Sequence, residues 1–127
     1  MDQNIKILFA IILFVHGIGH LIGTSFLSES FNLQGFGNKS WILNDQLGLE
    51  KIYSQLIAIL WLVVTIGFLI ATYGFLTNQE WWKPLSGFLV VVSIGLFILW
   101  WTAFPSLFPF QANIGNVLII LGLLWLN

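Results

Sequence analysis

The sequence predicts an all-α membrane protein built as a four-helix bundle, and two observations carry that expectation. Of 127 residues, 58% are apolar and only 7% are charged, whereas a water-soluble domain usually carries about 25% charged residues. The apolar residues also gather into four blocks free of Asp and Glu, at residues 4–23, 53–76, 84–104 and 110–126. At ~1.5 Å rise per residue these blocks reach roughly 30, 36, 31 and 26 Å, against a hydrocarbon core of about 30 Å. The chain therefore reads as a single integral membrane domain, multi-pass in the cell membrane, with the lipid bilayer as its main partner.

Each element follows from local chemistry. The first span starts after Asp2 and Lys6 and ends near Gly23. Lys6 before an apolar stretch and the small residues Gly23-Thr24-Ser25 partly match a cleaved signal peptide. Asp2 beside Lys6, and two histidines within the stretch, argue for a retained helix. A polar loop of residues 24–52 follows, bearing Glu29, Lys39, Asp45, Glu50 and Lys51, with Trp41-Ile42-Leu43 as an interfacial patch. Asp45 is placed to cap a helical lead-in to the second span, because Asp accepts from unpaired first-turn amides. The tight turn Thr77-Asn78-Gln79-Glu80 leads through Trp81-Trp82-Lys83 to Pro84. Pro84 is expected at the first position of the third helix, where its missing N–H costs nothing. Trp81, Trp82, Trp100, Trp101 and Trp125 are expected at headgroup level, since an indole has an apolar body and one polar N–H.

Charge and cysteine content exclude several classes. The net charge is −1, with four lysines and no arginine. No basic cluster therefore suggests nucleic acid or anionic headgroups as partners. Cysteine is absent, which removes disulfides, thiolate chemistry and Cys-type metal sites. Lysines divide evenly between the two sides of a four-span topology, so the positive-inside rule does not orient the chain. The longer, more acidic first loop favours an inside N-terminus.

Four spans place the first and third loops on one side of the bundle. His16, His20, Gln55, Thr102, Asn113 and Asn116 then gather in that half, leaving Thr72, Tyr73 and Ser86 in the other. At about 100° per residue, Phe9, Ile12, His16, Gly19, His20 and Gly23 fall within about 60° of one direction. Gly19 and Gly23 form a small-xxx-small pair that lets a neighbouring backbone approach. The histidines are thus expected to face into the bundle. Ser86, Ser93 and Trp100 mark an inner seam of the third span, and Asn113 shares a face with Asn116.

An ionisable side chain in hydrocarbon is costly, about 2.5 kcal/mol or more for fully charged residues, and commonly has a partner or a task. The candidate ligand-binding set is His16, His20, Gln55 and Asn116. Such residues also serve as structural glue, at about 0.6–2 kcal/mol per hydrogen bond, which is the expected role of Asn113, Gln55, Ser93 and Thr102. Histidines four residues apart can share a metal ion, but no third ligand is placed by spacing alone, although Asp45 or Glu50 has the right chemistry. No metal is therefore assigned. Haem is a poor fit, because two axial ligands must approach iron from opposite sides. A quinone suits the set better, needing an apolar slot and a proton partner such as imidazole.

The stretch Leu13-Phe14-Val15-His16-Gly17-Ile18-Gly19-His20-Leu21-Ile22-Gly23 resembles the first helix of small bacterial four-span proteins grouped loosely with the DoxX-like membrane proteins. Trp81-Trp82, Trp100 and Asn116 fit the same scheme. Trp101-Thr102-Ala103-Phe104-Pro105-Ser106 departs from it, lacking the charges expected before the fourth helix. The resemblance implies the fold class and a loose association with quinone-linked redox chemistry. Three functions are expected in order: an accessory or ligand-binding bundle, with a small apolar molecule or another membrane subunit as partner; a quinone-linked oxidoreductase or its membrane subunit; and a small-solute or ion pathway.

Overall fold

Asp2 opens the first helix: its carboxylate accepts the Asn4 N–H at 2.7 Å, satisfying one amide that a helix start leaves unpaired. From there α1 runs Gln3–Gly19 and tightens into a 3₁₀ segment, His20–Leu27. The computed structural model describes residues 2–27, 36, 37 and 39–126, so Glu29 lies outside the described residues. The other long helices are α2 (Lys51–Leu76), α3 (Trp82–Leu99) and α4 (Phe108–Trp125). A π-helical turn at Trp41–Gln46 and a 3₁₀ turn at Trp101–Ala103 complete the described elements, with no strand among them. The fold is an all-α four-helix bundle. All four spans are long and apolar enough to cross a membrane.

The helices pack in a ring: α1 lies against α2 and α4, and α3 against the same two neighbours. Their outer faces are apolar. Leu8, Val15, Phe88, Val91 and Leu124 are all exposed, a surface suited to lipid rather than to water. Inside, Phe9, Phe75 and Trp82 meet edge-on at 4.9–5.7 Å. Further along, Trp61 packs against Phe97, Trp100 and Phe104 at 5.0, 6.3 and 5.7 Å. Along α1 the two histidines fall between these aromatic clusters.

Contacts at both ends bear out the expected pairing of loops. Lys6 Nζ donates to Asn78 Oδ1 at 2.7 Å, joining the N-terminus to the turn after α2. Asn78 ends α2 with φ 57°. The Asn78 and Gln79 amides then donate to the Phe75 and Gly74 carbonyls, the helix-terminating pattern favoured by Gly or Asn in the left-handed region. At the other end the Gly37 amide donates to the Ala103 carbonyl at 2.6 Å. Ser40 Oγ donates to the Leu99 carbonyl and Trp41 Nε1 to the Ile98 carbonyl. The first loop is thereby tied to the C-terminal end of α3.

Several local expectations are corrected. Asp45 is exposed and caps nothing in the second span. Ser40 instead accepts the Leu43 amide and starts the turn at Trp41–Gln46. Gly48, at φ +63°, separates that turn from α2. Helix α3 starts at Trp82, which puts Pro84 two residues inside the first turn, still among amides that need no helical partner. It ends at Leu99 rather than running to Phe104. Trp82 and Trp100 are buried, at 5% and 1% exposure, because both fall on the inner seam with Ser86 and Ser93. Trp81 and Trp125 remain exposed, as anchors require.

The glycine expectation is half right. A Cβ on Gly23 would overlap the Trp61 ring, whereas one on Gly19 would meet nothing within 4 Å. Gly17 makes the other close approach, with its would-be Cβ 2.8 Å from Phe68 Cβ. Gly17 in α1 and Gly23 in the 3₁₀ segment that follows are therefore the packing glycines of the first span. Gly19 is not one of them.

Candidate functional site

The change from α to 3₁₀ winding at His20 positions the site. The His20 amide donates to the Gly17 and Ile18 carbonyls, which leaves the His16 carbonyl without its usual helical donor. The His20 ring fills that place, with Nδ1 donating to the His16 carbonyl at 2.8 Å. Around the ring stand Trp61, Phe68 and Phe97, with centroids 5.6–5.7 Å away. The two imidazoles meet edge-on at 4.6 Å. His20 is only 1% exposed, and His16 is half-buried.

Both rings belong to one chain of hydrogen bonds crossing from α1 to α3 and α4. His20 Nε2 lies 2.7 Å from Ser93 Oγ. Asn116 Nδ2 donates to Ser93 Oγ and to Asn113 Oδ1, each at 2.9 Å. His16 Nε2 lies 2.8 Å from Asn116 Oδ1, and Asn113 Nδ2 donates to the Pro109 carbonyl at 2.8 Å.

Donor–acceptor accounting fixes the direction of every bond in this chain, because a backbone carbonyl sits at each end and a carbonyl only accepts. From the Pro109 end, Asn113 must present its amide nitrogen to that carbonyl and its oxygen to Asn116. Asn116 then offers Nδ2 to Asn113 and Ser93, and Oδ1 to His16. His16 must therefore carry its proton on Nε2. From the other end, His20 donates from Nδ1, so its Nε2 accepts the Ser93 hydroxyl proton. The two derivations meet consistently at Ser93, which accepts from Asn116 and donates to His20. For two uncharged rings the bonds therefore require opposite tautomers.

One acceptor is left over. His16 Nδ1 makes no hydrogen bond among the described residues, and it is not sealed in the interior. It lies over Gly115, where an added Cβ would collide with it. His16, His20, Gly19 and Gly115 line a cleft of about 440 Å³ between α1 and α4, together with apolar residues including Ile12, Val15, Phe97, Phe108 and Leu118. Ile11, Val15 and Leu118 on its margins are exposed, so the cleft opens on the apolar outer flank of the bundle.

Of the candidate set, the structure brings His16, His20 and Asn116 together and leaves Gln55 out. Gln55 is half-buried near the start of α2, and neither histidine bonds to it. Helical-face arithmetic cannot find this, because it fixes direction but not depth: His20 meets α2 at Trp61 and Phe68, further along the helix than Gln55. Ser93 and Asn113, expected as structural glue, are members of the same chain. Thr102 is exposed in the turn after α3 and bridges no helices. Thr65 and Thr72 donate to the Trp61 and Phe68 carbonyls of their own helix. Asp45 and Glu50 are exposed, and no group of three or more metal-ligating residues occurs among the described residues. The aromatic surround of His20 escaped sequence reasoning, since Trp61, Phe68 and Phe97 sit in continuous apolar runs without a distinguishing pattern.

The site defines a class: a four-helix bundle whose helices are long and apolar enough to cross a membrane, with an inward-facing histidine pair beside a cleft on its apolar outer flank. Compared with family models, with curated proteins and with solved structures, the chain matches none.

Proposed function

We propose that the chain is an integral protein of the cell membrane that binds a small apolar molecule in the cleft between α1 and α4, as an accessory rather than a catalytic component. One observation carries this reading: the cleft is walled by branched and aromatic side chains, and its few polar groups include two imidazoles held in fixed orientation from behind. Its volume, about 440 Å³, lies in the range of about 300–1,000 Å³ common for small-molecule sites. Orientation by a backing shell of hydrogen bonds is what a binding site needs for selectivity. The resemblance of the first helix to DoxX-like four-span proteins supports the same class.

The quinone-linked alternative draws on the same cleft. An ion pathway has less support, because the hydroxyls of Thr65 and Thr72 turn back on their own helix and no Asp or Glu lies within the four apolar blocks. The test compares the wild type with Gly19→Leu, which fills the cleft from a position with no neighbour in the way. Mass spectrometry of molecules co-purifying in mild detergent is expected to find one small apolar species with the wild type and not with the variant. Recovery of bulk membrane lipid alone from both proteins would overturn the reading. A quinone as the retained species would shift it to the redox alternative.

A further inference from the structure

We propose that the molecule bound in this cleft is a hydrogen-bond donor, a lipid-soluble phenol or alcohol whose hydroxyl donates to His16 Nδ1. The inference rests on the ligand-binding reading above and adds the polarity of the ligand to it. Its basis is the fixed direction of the hydrogen-bond chain. The Pro109 carbonyl orients Asn113, Asn113 orients Asn116, and the Asn116 oxygen requires the proton of His16 on Nε2. The unprotonated nitrogen of an uncharged ring is then Nδ1, the ring nitrogen of this pair without a hydrogen bond among the described residues, and it packs against the bare backbone of Gly115 in the wall of the cleft. Reversing His16 would set an Nδ1 proton toward the cleft but leave two acceptors, Nε2 and Asn116 Oδ1, facing each other at 2.8 Å.

At His16 Nδ1 a group that only accepts, such as that of a ketone, an ether or an oxidised quinone, would meet lone pair against lone pair. A hydroxyl completes the chain without disturbing any bond. Beside the histidines, Gln111 is the other polar side chain of the lining, and the rest of the ligand surface must be apolar, to match Ile12, Val15, Phe97, Phe108 and Leu118. The cleft's size suits one ring with a short tail rather than a two-chain lipid.

The experiment uses the full chain in lipid nanodiscs with three probes of similar shape: para-heptylphenol, its methyl ether para-heptylanisole, and heptyl-benzoquinone. Binding is read as the difference between wild type and Gly19→Leu, which cancels partitioning into lipid. Ring-¹⁵N resonances of histidine give a second readout. The phenol is expected to bind about tenfold more tightly than either acceptor-only probe, the scale of one hydrogen bond made against one refused. It is also expected to shift the His16 Nδ1 resonance while leaving His20 unmoved. Equal binding of all three probes in the cleft would overturn the donor assignment and leave the cleft as a binding site. Binding of none would overturn both. Tighter binding of the quinone would show that His16 turns its proton toward the cleft, and would also reject the proposal.

Discussion

Asn116→Leu is expected to cost about 2–5 kcal/mol of stability, from three hydrogen bonds at about 0.6–1.7 kcal/mol each in a membrane setting. The substitution conserves volume, so the loss is chemical rather than steric. It strands the His16 Nε2 proton and Asn113 Oδ1, each of which would lack a replacement partner. Helix α4 is the most dependent on this residue, because its buried residues are only Pro109, Asn116 and Ile119. Unfolding followed by helical circular dichroism in detergent checks the figure. Gln55→Leu serves as the control and should shift stability by less than about 0.5 kcal/mol, as a site outside such networks does. Equal losses in the two variants would show that the chain of hydrogen bonds is not what holds α4.

Gly23→Ala is expected to destabilise by about 1–3 kcal/mol, the usual cost of an extra methyl in a filled interior. The new methyl would overlap the Trp61 ring, which cannot retreat because Phe97, Trp100 and Phe104 stand behind it. Gly19→Ala, four residues earlier, should leave stability within about 0.5 kcal/mol or raise it slightly, since alanine is the better helix former and its methyl meets nothing. The same unfolding measurement separates them. A reversed order would mean that α1 is rotated from the orientation described.

This glycine pair also illustrates what sequence can and cannot supply. Spacing identifies Gly19 and Gly23 as one stripe, yet only a neighbour's side chain decides which of the two is in contact. Trp61, on a different helix, makes Gly23 the close approach and leaves Gly19 on the cleft. The spans themselves were legible, because bilayer thickness sets the length of an apolar run and each run is bounded by polar loops. The inward direction of His16, His20, Ser93 and Asn116 was legible too, since helical periodicity puts them on faces that small or polar residues share.

Gln55 failed for a physical reason. His20 meets α2 at Trp61 and Phe68, and Gln55 lies six residues nearer the helix start than Trp61, so its depth in the bundle does not match. No pattern in the first span announces the 3₁₀ winding at His20 either. The roles of Trp82 and Trp100 were likewise hidden, because an indole suits an interface and a core equally well until its neighbours are known. Asp45 was a reasonable cap by residue type. Gly48 in the left-handed region interrupts the lead-in it would have started.

The two histidines face inward and, as uncharged rings, are held in opposite tautomers by one chain of hydrogen bonds. Ring-¹⁵N NMR of selectively labelled protein in lipid tests this most directly, by reporting which nitrogen of each imidazole carries the proton. A proton is expected on Nε2 of His16 and on Nδ1 of His20, with the His16 assignment lost in Asn116→Leu. The same tautomer on both rings, or two resonances averaged by rapid exchange with water, would contradict it.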